Sequence, residues 1–296
     1  MSIMEVKCLK RDYGNGKGVF DLSFSVERGE VFGFLGPNGA GKTTTIRHLM
    51  GFLKPESGTC RIDGKDCWLD RPSVQKNLGY IPGEMNFFDD MTGAEFLNFI
   101  EKYRGVDSSI RKMDLISLFE LDAKGKLKKM SKGMKQKVGI VAAFMHDPDI
   151  LILDEPTSGL DPLMQNRFID LVAEEREKGK TILMSSHMFD EVERACQRVC
   201  IIKNGRLAAV DSVDGLKAAQ VKKYEVTLES EEAALEFANE DLAISEISHA
   251  HVTVLVQNNI SQFIALMNKH PIVNISAPSQ SLEEIFLQYY GGEKGV

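Results

Sequence analysis

The sequence predicts an α/β protein with a doubly wound, mostly parallel central sheet. Two apolar runs carry this prediction, VFGFLG at residues 31–36 and ILILD at residues 150–154. Both are apolar at successive positions, as expected of central strands that helices cover on either side. Two further strand patterns, KTILMSSH and RVCIIKNGRL, flank a helical pattern later in the chain. Strands that alternate with helices in this way are typical of parallel sheets.

A small antiparallel β subdomain is predicted beside this sheet. Residues 3–35 have the pattern of paired strands, and SGTCRIDGKDCW has the pattern of a short strand-like section with tight turns at SG and DG. Between them, a helix is predicted from Thr43 to Met50, where Gly51 can end it.

Two longer helical patterns follow. Residues 92–121 are predicted to be helical, beginning at a capping box formed by Thr92 and Glu95. A polar helix is predicted over about residues 162–178, after the second apolar strand.

The pattern changes after the stretch at 216–223, which predicts a domain boundary between residues 1–220 and 221–296. YEVTLESEEAALEFA and HVTVLVQNNISQFIALM are two strand-then-helix units of similar length, and PIVNIS with SLEEIFLQYY adds a strand and a helix. This order predicts a small α+β domain of the split βαβ type.

Charge and composition argue against several classes of protein. The net charge of −7 comes from residues 221–296, which hold 4 basic and 11 acidic side chains, so that the first 220 residues hold 32 of each. An acidic tail argues against a nucleic acid partner. No apolar run reaches the roughly 18 residues of a membrane span, the N-terminus lacks the pattern of a signal peptide, and five scattered cysteines predict reduced thiols. We therefore expect a cytoplasmic protein.

A phosphate-binding loop is predicted directly after the first apolar strand. Residues 36–44, GPNGAGKTT, match the pattern G-x-x-x-x-G-K-[ST]. Glycines let such a loop turn its backbone N–H groups towards an anion, and the following helix N-terminus adds partial positive charge. Lys42 would supply a charge for the β- and γ-phosphates, and Thr43 a hydroxyl for Mg²⁺. The predicted nucleotide-binding residues of the loop are Gly36, Asn38, Gly39, Ala40, Gly41, Lys42, Thr43 and Thr44.

Two adjacent acids end the second apolar strand. Such folds bind ligands at the carboxyl edge of the sheet, where Asp154 and Glu155 are expected to lie. Asp154 can hold Mg²⁺ through water, and Glu155 can polarise an attacking water as a general base. The loop and the acids together predict a P-loop NTPase.

The remaining motifs resemble those of the ATP-binding cassette (ABC) family, and the resemblance is continuous over residues 1–220. Residues 130–136, MSKGMKQ, stand where that family has its signature sequence. Residues 158–161, SGLD, match the loop that crosses the dimer interface. His187 matches the switch histidine, and Tyr13 matches the aromatic residue that stacks on adenine.

This resemblance implies an ATP-hydrolysing transporter subunit that forms a head-to-tail dimer around two ATP molecules. Each ATP would lie between the phosphate loop of one subunit and the signature sequence of the other. Glu155 would be the base, and His187 would contact the γ-phosphate and the water. The residues implied to reach the nucleotide from the signature sequence and the interface loop are Ser131, Lys132, Gly133, Met134 and Asp161.

Three positions depart from the family pattern. Lys132 replaces a usual glycine of the signature sequence, and Met134 replaces a usual glutamine. Gly83, after the strand LGYIP, stands where the family commonly has a glutamine that reaches Mg²⁺ and senses the membrane partner. Gly83 has no side chain for either task, and the adjacent Glu84 is a candidate substitute.

The resemblance also implies a separate transmembrane permease subunit as partner, which would place this chain at the cytoplasmic face of the membrane. The helical insertion, at about residues 84–130, docks onto that subunit in the family. Met85, Phe87 and Phe88 either line the docking groove or form a local core beneath the insertion. The opening GPNGAGKTTTIR and the ending SLEEIFLQYY resemble the ATPases of bacterial ABC-2 type exporters. Whether the dimer pairs this chain with itself or with a related ATPase stays open.

Three other functions fit part of the sequence. A cassette protein of translation or DNA repair usually has two tandem cassettes or a long coiled-coil insertion, and this chain has neither pattern. A switch GTPase or a kinase needs no signature sequence, and no N-K-x-D guanine motif appears. A regulatory cassette that binds ATP and hardly hydrolyses it stays open because of Gly83.

Overall fold

The computed structural model describes residues 2–88, 90–218, 222–256 and 260–277, in two compact units, Met1–Val213 and Asp214–Val296. The strands of the first unit are β1 (Ser2–Asp12), β2 (Gly18–Glu27), β3 (Val31–Leu35), β4 (Ser57–Ile62), β5 (Lys65–Asp66), β6 (Leu78–Ile81), β7 (Ile150–Asp154), β8 (Thr181–Ser186), β9 (Arg198–Lys203) and β10 (Arg206–Ser212). Its helices are α1 (Lys42–Leu49), α2 (Arg71–Lys76), α3 (Gly93–Arg104), α4 (Ser109–Leu118), α5 (Lys132–Phe144), α6 (Pro162–Glu177) and α7 (Phe189–Ala195), with a 3-10 turn at Leu127–Lys129.

The first sheet is antiparallel, in the order β2-β1-β4-β5. It contains the first two strands of the region predicted to pair, whereas β3 joins the second sheet. Aromatic packing joins the two sheets, because Phe24 of β2 stacks on Phe32 at 5.6 Å and lies 5.4 Å from Phe34, both on β3. The predicted antiparallel β subdomain is confirmed.

The second sheet has the order β10-β9-β3-β8-β7-β6, and every pair except β9 with β10 is parallel. Strands β3, β7 and β8 are buried at every position, as their continuous apolar sequences predict. Leu35 pairs with Ser186, and Asp154 pairs with Ser185. The carboxyl ends of these three strands therefore meet at one edge of the sheet, and the predicted P-loop architecture is confirmed.

The helical insertion begins as predicted and then breaks. Thr92 accepts a hydrogen bond from the Glu95 backbone N–H, and the Glu95 carboxylate accepts one from the Thr92 N–H, so the capping box is present. The prediction of one helical region over residues 92–121 is wrong at Gly105, which has a φ of 66° and ends α3. Glycine adopts this left-handed conformation without steric cost and commonly ends helices.

The second unit is a small α+β domain. Its elements, after α8 (Val213–Ala218) at the boundary, are β11 (Lys222–Leu228), α9 (Glu231–Ala238), β12 (Ala243–Ser248), β13 (His251–Val256), α10 (Ile260–Met267) and β14 (Ile272–Ser276). The sheet order is β12-β13-β11-β14, and every pair is antiparallel. Strand β12 is missing from the sequence prediction because five of its six residues are exposed and it has no apolar alternation. The predicted helix SLEEIFLQYY lies outside the described residues.

Within the described ranges, no helix is long and apolar enough to span a membrane.

Candidate nucleotide-binding site

The phosphate loop connects β3 to α1, and its glycines are required by close contacts. Gly39 and Gly41 have φ values of 82° and 111°, which side chains other than glycine rarely adopt. A Cβ on Gly36 would lie 2.7 Å from the Ile202 carbonyl oxygen, and one on Gly41 would lie 2.9 Å from Val19. The loop is thus a narrow backbone turn at the start of a helix, which is the geometry of an anion site.

Lys42 lies folded back against this loop. Its side chain is 4% exposed, and its Nζ donates hydrogen bonds to the carbonyl oxygens of Gly36 at 2.6 Å and Pro37 at 3.3 Å. Its Nζ also lies 3.4 Å from Glu155 Oε1. The ammonium group is therefore held at the mouth of the loop by weak acceptors that a phosphate oxygen can replace. Of the other predicted loop residues, Asn38 and Thr43 are exposed, Thr44 is half-buried and Ala40 is buried.

Asp154 ends β7 with a buried carboxylate that is only partly hydrogen-bonded. Ser185 Oγ donates to its Oδ1 at 2.5 Å, whereas its Oδ2 has no hydrogen-bond partner among the described residues. Burial raises the pKa of Asp154, and hydrogen bonds from Ser185 and Thr43 oppose this rise. A Cβ on Gly83 would lie 3.0 Å from Oδ2, so the glycine leaves space in front of that oxygen. An unpaired buried carboxylate oxygen beside a threonine hydroxyl is a donor set that fits Mg²⁺.

Glu155 joins the predicted catalytic groups. Its Oε1 lies 3.4 Å from Lys42 Nζ, and its Oε2 lies 3.4 Å from His187 Nδ1. Its φ of 49° is in the left-handed region, and strained backbone of this kind is concentrated at functional sites. The structure thus brings Lys42, Asp154, Glu155 and His187 together, as the sequence predicts.

Ser185 is a residue of this site that sequence reasoning missed. Its hydroxyl donates to Asp154 and also accepts the Glu155 N–H at 3.1 Å, and its carbonyl accepts the same N–H at 3.2 Å. Ser185 therefore fixes the orientation of both acids. The only signal in the sequence is its position two residues before His187, at the end of an apolar strand.

The signature residues form a second cluster with the loop after Glu155. Ser131 caps α5 by accepting the Met134 N–H at 3.2 Å, and Lys132 Nζ donates to Ser158 Oγ at 2.7 Å. A Cβ on Gly133 would lie 2.5 Å from the Gly159 carbonyl oxygen, so the two backbones touch there. Ser131 and Lys132 are exposed, and Gly133 and Met134 are half-buried, so this cluster can reach a second molecule.

Two further nucleotide contacts are predicted, at Tyr13 and Asp161. Tyr13 is 51% exposed on the loop after β1, with the Arg11 guanidinium 5.2 Å above its ring. Its free face can stack on a flat base. Asp161 caps α6 by accepting the Met164 N–H at 3.0 Å, so the structure gives this carboxylate a role in the helix.

The parallel sheet, the phosphate loop and the two acids define a P-loop nucleoside triphosphatase. The family model described as ABC transporter matches residues 19–158. The bacitracin transport ATP-binding protein BcrA of Bacillus licheniformis is 33% identical over 302 residues, covering 98% of each chain. Nod factor export ATP-binding protein I of Cupriavidus pinatubonensis is 31% identical over 304 residues, covering 99% of this chain and 92% of the relative. The chain belongs to the ATP-binding proteins of ABC transporters, which bind and hydrolyse ATP.

Solved structures agree with this assignment. An ATP-binding subunit of an ABC transporter is 34% identical with a TM-score of 0.68, and the match covers 73% of this chain and 92% of that one. A bacterial ABC transporter cassette solved as a dimer is 25% identical with a TM-score of 0.64, covering 71% of this chain and 98% of that one. The shared part is thus the cassette, and cassettes of this family dimerise.

Proposed function

We propose that this chain drives an export system by hydrolysing ATP at a site shared between two cassettes, with Glu155 as the general base. The observation that carries this proposal is the position of the Glu155 carboxylate between Lys42 and His187, at 3.4 Å from each. A base in that place can accept a proton from a water that attacks a phosphate held by Lys42.

Within one subunit, different residues bind the nucleotide and take part in its hydrolysis. The γ-phosphate draws Lys42 away from the carbonyl oxygens of Gly36 and Pro37, because a charged acceptor is stronger than a neutral one. His187 orients the water and the γ-phosphate, and Tyr13 stacks on the adenine. Thr43 and Asp154 would hold Mg²⁺, which would supply positive charge against the phosphate groups.

The signature cluster acts on the nucleotide of the partner subunit. Ser131 and the backbone N–H of Gly133 lie at the start of α5, where a helix stabilises an anion, whereas the Met134 N–H already donates to Ser131 Oγ. The exposed Lys132 adds a positive charge beside them. Two such cassettes, arranged head to tail, would enclose two ATP molecules. A pair of identical subunits and a pair with a related ATPase both satisfy this arrangement.

The partner that transmits the motion is a transmembrane permease subunit, which docks in a groove of the helical insertion. A cavity of about 1020 Å³ is lined by residues of the insertion together with α2, β6 and α5, and Met85, Phe87, Phe96 and Tyr103 are among them. Phe87 packs edge-on against Phe96 at 4.9 Å, and Phe88 is 57% exposed. An aromatic groove of this size suits a short helix with an apolar face.

These assignments also imply the domain organisation of the chain and its location in the cell. Residues 1–220 would be the nucleotide-binding domain, with the insertion at about 84–130, and residues 221–296 would be an accessory domain. Binding to the permease would hold the chain at the cytoplasmic face of the membrane. The relatives named above concern bacitracin transport and Nod factor export, which supports export as the direction of transport.

The variant Glu155→Gln tests the function. It keeps the size of the side chain and removes the base, so we expect it to bind ATP, to hydrolyse it about 10²- to 10⁴-fold more slowly, and to accumulate as an ATP-bound dimer. Steady-state phosphate release and light scattering with ATP measure the two effects. Glu177→Gln, an exposed residue at the end of α6, is the control and should match the unchanged protein. Normal turnover in Glu155→Gln would exclude Glu155 as the base.

A further inference from the structure

A hydrogen-bonded chain surrounds His187 on both sides. Ser186 precedes it as the last residue of β8, and its hydroxyl accepts the backbone N–H of Met188, the residue that follows, at 2.9 Å. The same hydroxyl donates to Glu191 Oε2 at 2.8 Å. One buried side chain thus closes the turn whose tip is His187 and ties that turn to α7.

The register of β8 fixes only one side of this turn. Ser186 pairs with Leu35, the residue before the phosphate loop, so its backbone position is set by the sheet. The imidazole is not held by burial, because the His187 side chain is 48% exposed and its Nδ1 lies 3.4 Å from Glu155 Oε2. At that distance the contact is longer than an ordinary hydrogen bond. The direction of the ring therefore depends on the backbone beyond Ser186.

The burial of Glu191 lowers the stability of the fold, so its position is not explained by a contribution to stability. It is 5% exposed, and its Oε1 has no hydrogen-bond partner in the part of the chain that the structure describes. An incompletely paired buried carboxylate is unfavourable, and its place in the first turn of α7 offsets only part of this. Its described hydrogen bond goes to the hydroxyl that closes the His187 turn. Because the Ser186 hydroxyl donates its proton to the Glu191 carboxylate, the lone pairs of the Ser186 oxygen face the backbone N–H of Met188.

We propose that Ser186 and Glu191 are positioning residues for His187, which hold its imidazole within reach of Glu155 and the γ-phosphate. This proposal rests on the role of His187 in hydrolysis given above. The pair acts on turnover and leaves nucleotide binding unchanged, because Lys42 and the phosphate loop make no use of it.

The experiment compares Ser186→Ala and Glu191→Leu in the full-length protein with Glu191→Gln, which keeps an oxygen acceptor. We expect kcat to fall roughly fivefold to tenfold in the first two, about the effect of one lost hydrogen bond, and to return to within about twofold in Glu191→Gln. The affinity for ATP, measured with a fluorescent analogue, should not change. Ser108→Ala is the matched control, since Ser108 is also buried and donates to a glutamate, Glu101, at 2.8 Å in the helical insertion.

The double variant Ser186→Ala/His187→Ala decides whether the pair acts through His187. If it does, the double variant is as slow as His187→Ala alone, because the positioned group is already gone. Additive losses in the double variant would overturn the proposal. So would normal turnover in both single variants, Ser186→Ala and Glu191→Leu. A Glu191→Gln protein as slow as Glu191→Leu would overturn it as well. Unchanged turnover in His187→Ala would instead refute the role of His187 in the proposed function. If Ser186→Ala does not fold, Glu191→Leu, which removes the acceptor of the same hydrogen bond, and the double variant Glu191→Leu/His187→Ala take its place, with the same outcomes expected.

Discussion

The contact between Gly133 and Gly159 gives the sharpest prediction for the signature cluster. In Gly133→Ala, the new Cβ would lie 2.5 Å from the Gly159 carbonyl oxygen, whereas ordinary contact begins at 3.4 Å. Helix α5 and the loop after Glu155 must therefore separate by about 0.9 Å. A misplacement of about 1 Å typically lowers catalysis about 10²-fold, which corresponds to about 2.7 kcal/mol in the activation free energy.

The assay separates the two ends of the shared site. Because we propose that Gly133 serves the nucleotide of the partner subunit, Gly133→Ala should lower kcat about 10²-fold while its own phosphate loop still binds ATP with unchanged affinity. Steady-state ATPase rates and calorimetric titration with ATP measure these quantities. Gly125→Ala is the matched control, since a Cβ there meets only Met130 Cε at 3.8 Å. The reasoning is refuted if Gly133→Ala turns over within about twofold of the unchanged protein, or if ATP binding falls in parallel with kcat.

Two predictions concern stability. Burial lowers the pKa of His146 from 6.5 to about 4. Between these pH values the unfolded chain therefore binds more protons than the folded protein, and the unfolding free energy falls as the pH drops from 6.5 to 4. Urea unfolding at the two pH values should show that His146→Gln removes about 1–3 kcal/mol of this loss. If the unfolding free energy of His146→Gln depended on pH as it does in the unchanged protein, the assignment would be wrong. Glu175 is buried and forms ion pairs with Arg111, Lys178 and Lys180. Because Arg111→Gln leaves two of these cations in place, it should lower the unfolding free energy by only about 1–2 kcal/mol. A loss of about 4 kcal/mol or more would show that Arg111 alone compensates the charge of Glu175.

Local patterns in the sequence predict the elements that depend on neighbouring residues. The capping box of Thr92 and Glu95 forms as predicted, since its partners are three residues apart. The helix predicted from Thr43 to Met50 is α1, Lys42–Leu49. The break at Gly105 escaped prediction because helical sequence continues on both sides of it, and only its left-handed conformation ends α3.

Contacts between distant residues account for what the sequence could not predict about the site. Ser185 reaches Asp154 across 31 positions, and that contact exists because β7 and β8 are parallel neighbours in register. The strand order that makes them neighbours depends on packing throughout the core. Gly133 and Gly159 also lie close together in the fold, and nothing in their spacing along the sequence predicts this contact.

The amino-acid sequence by itself determined the chemistry of this protein, because a phosphate loop needs glycines, a lysine and a threonine in one continuous segment, and residues 36–44 supply them. Only the tertiary structure decided how the catalytic groups are held. The Ser185 hydroxyl contacts Asp154 and the Glu155 N–H, whereas the Ser186 hydroxyl contacts Glu191 and the Met188 N–H beside His187; the two serines at the end of β8 point to different partners because side chains alternate along a strand.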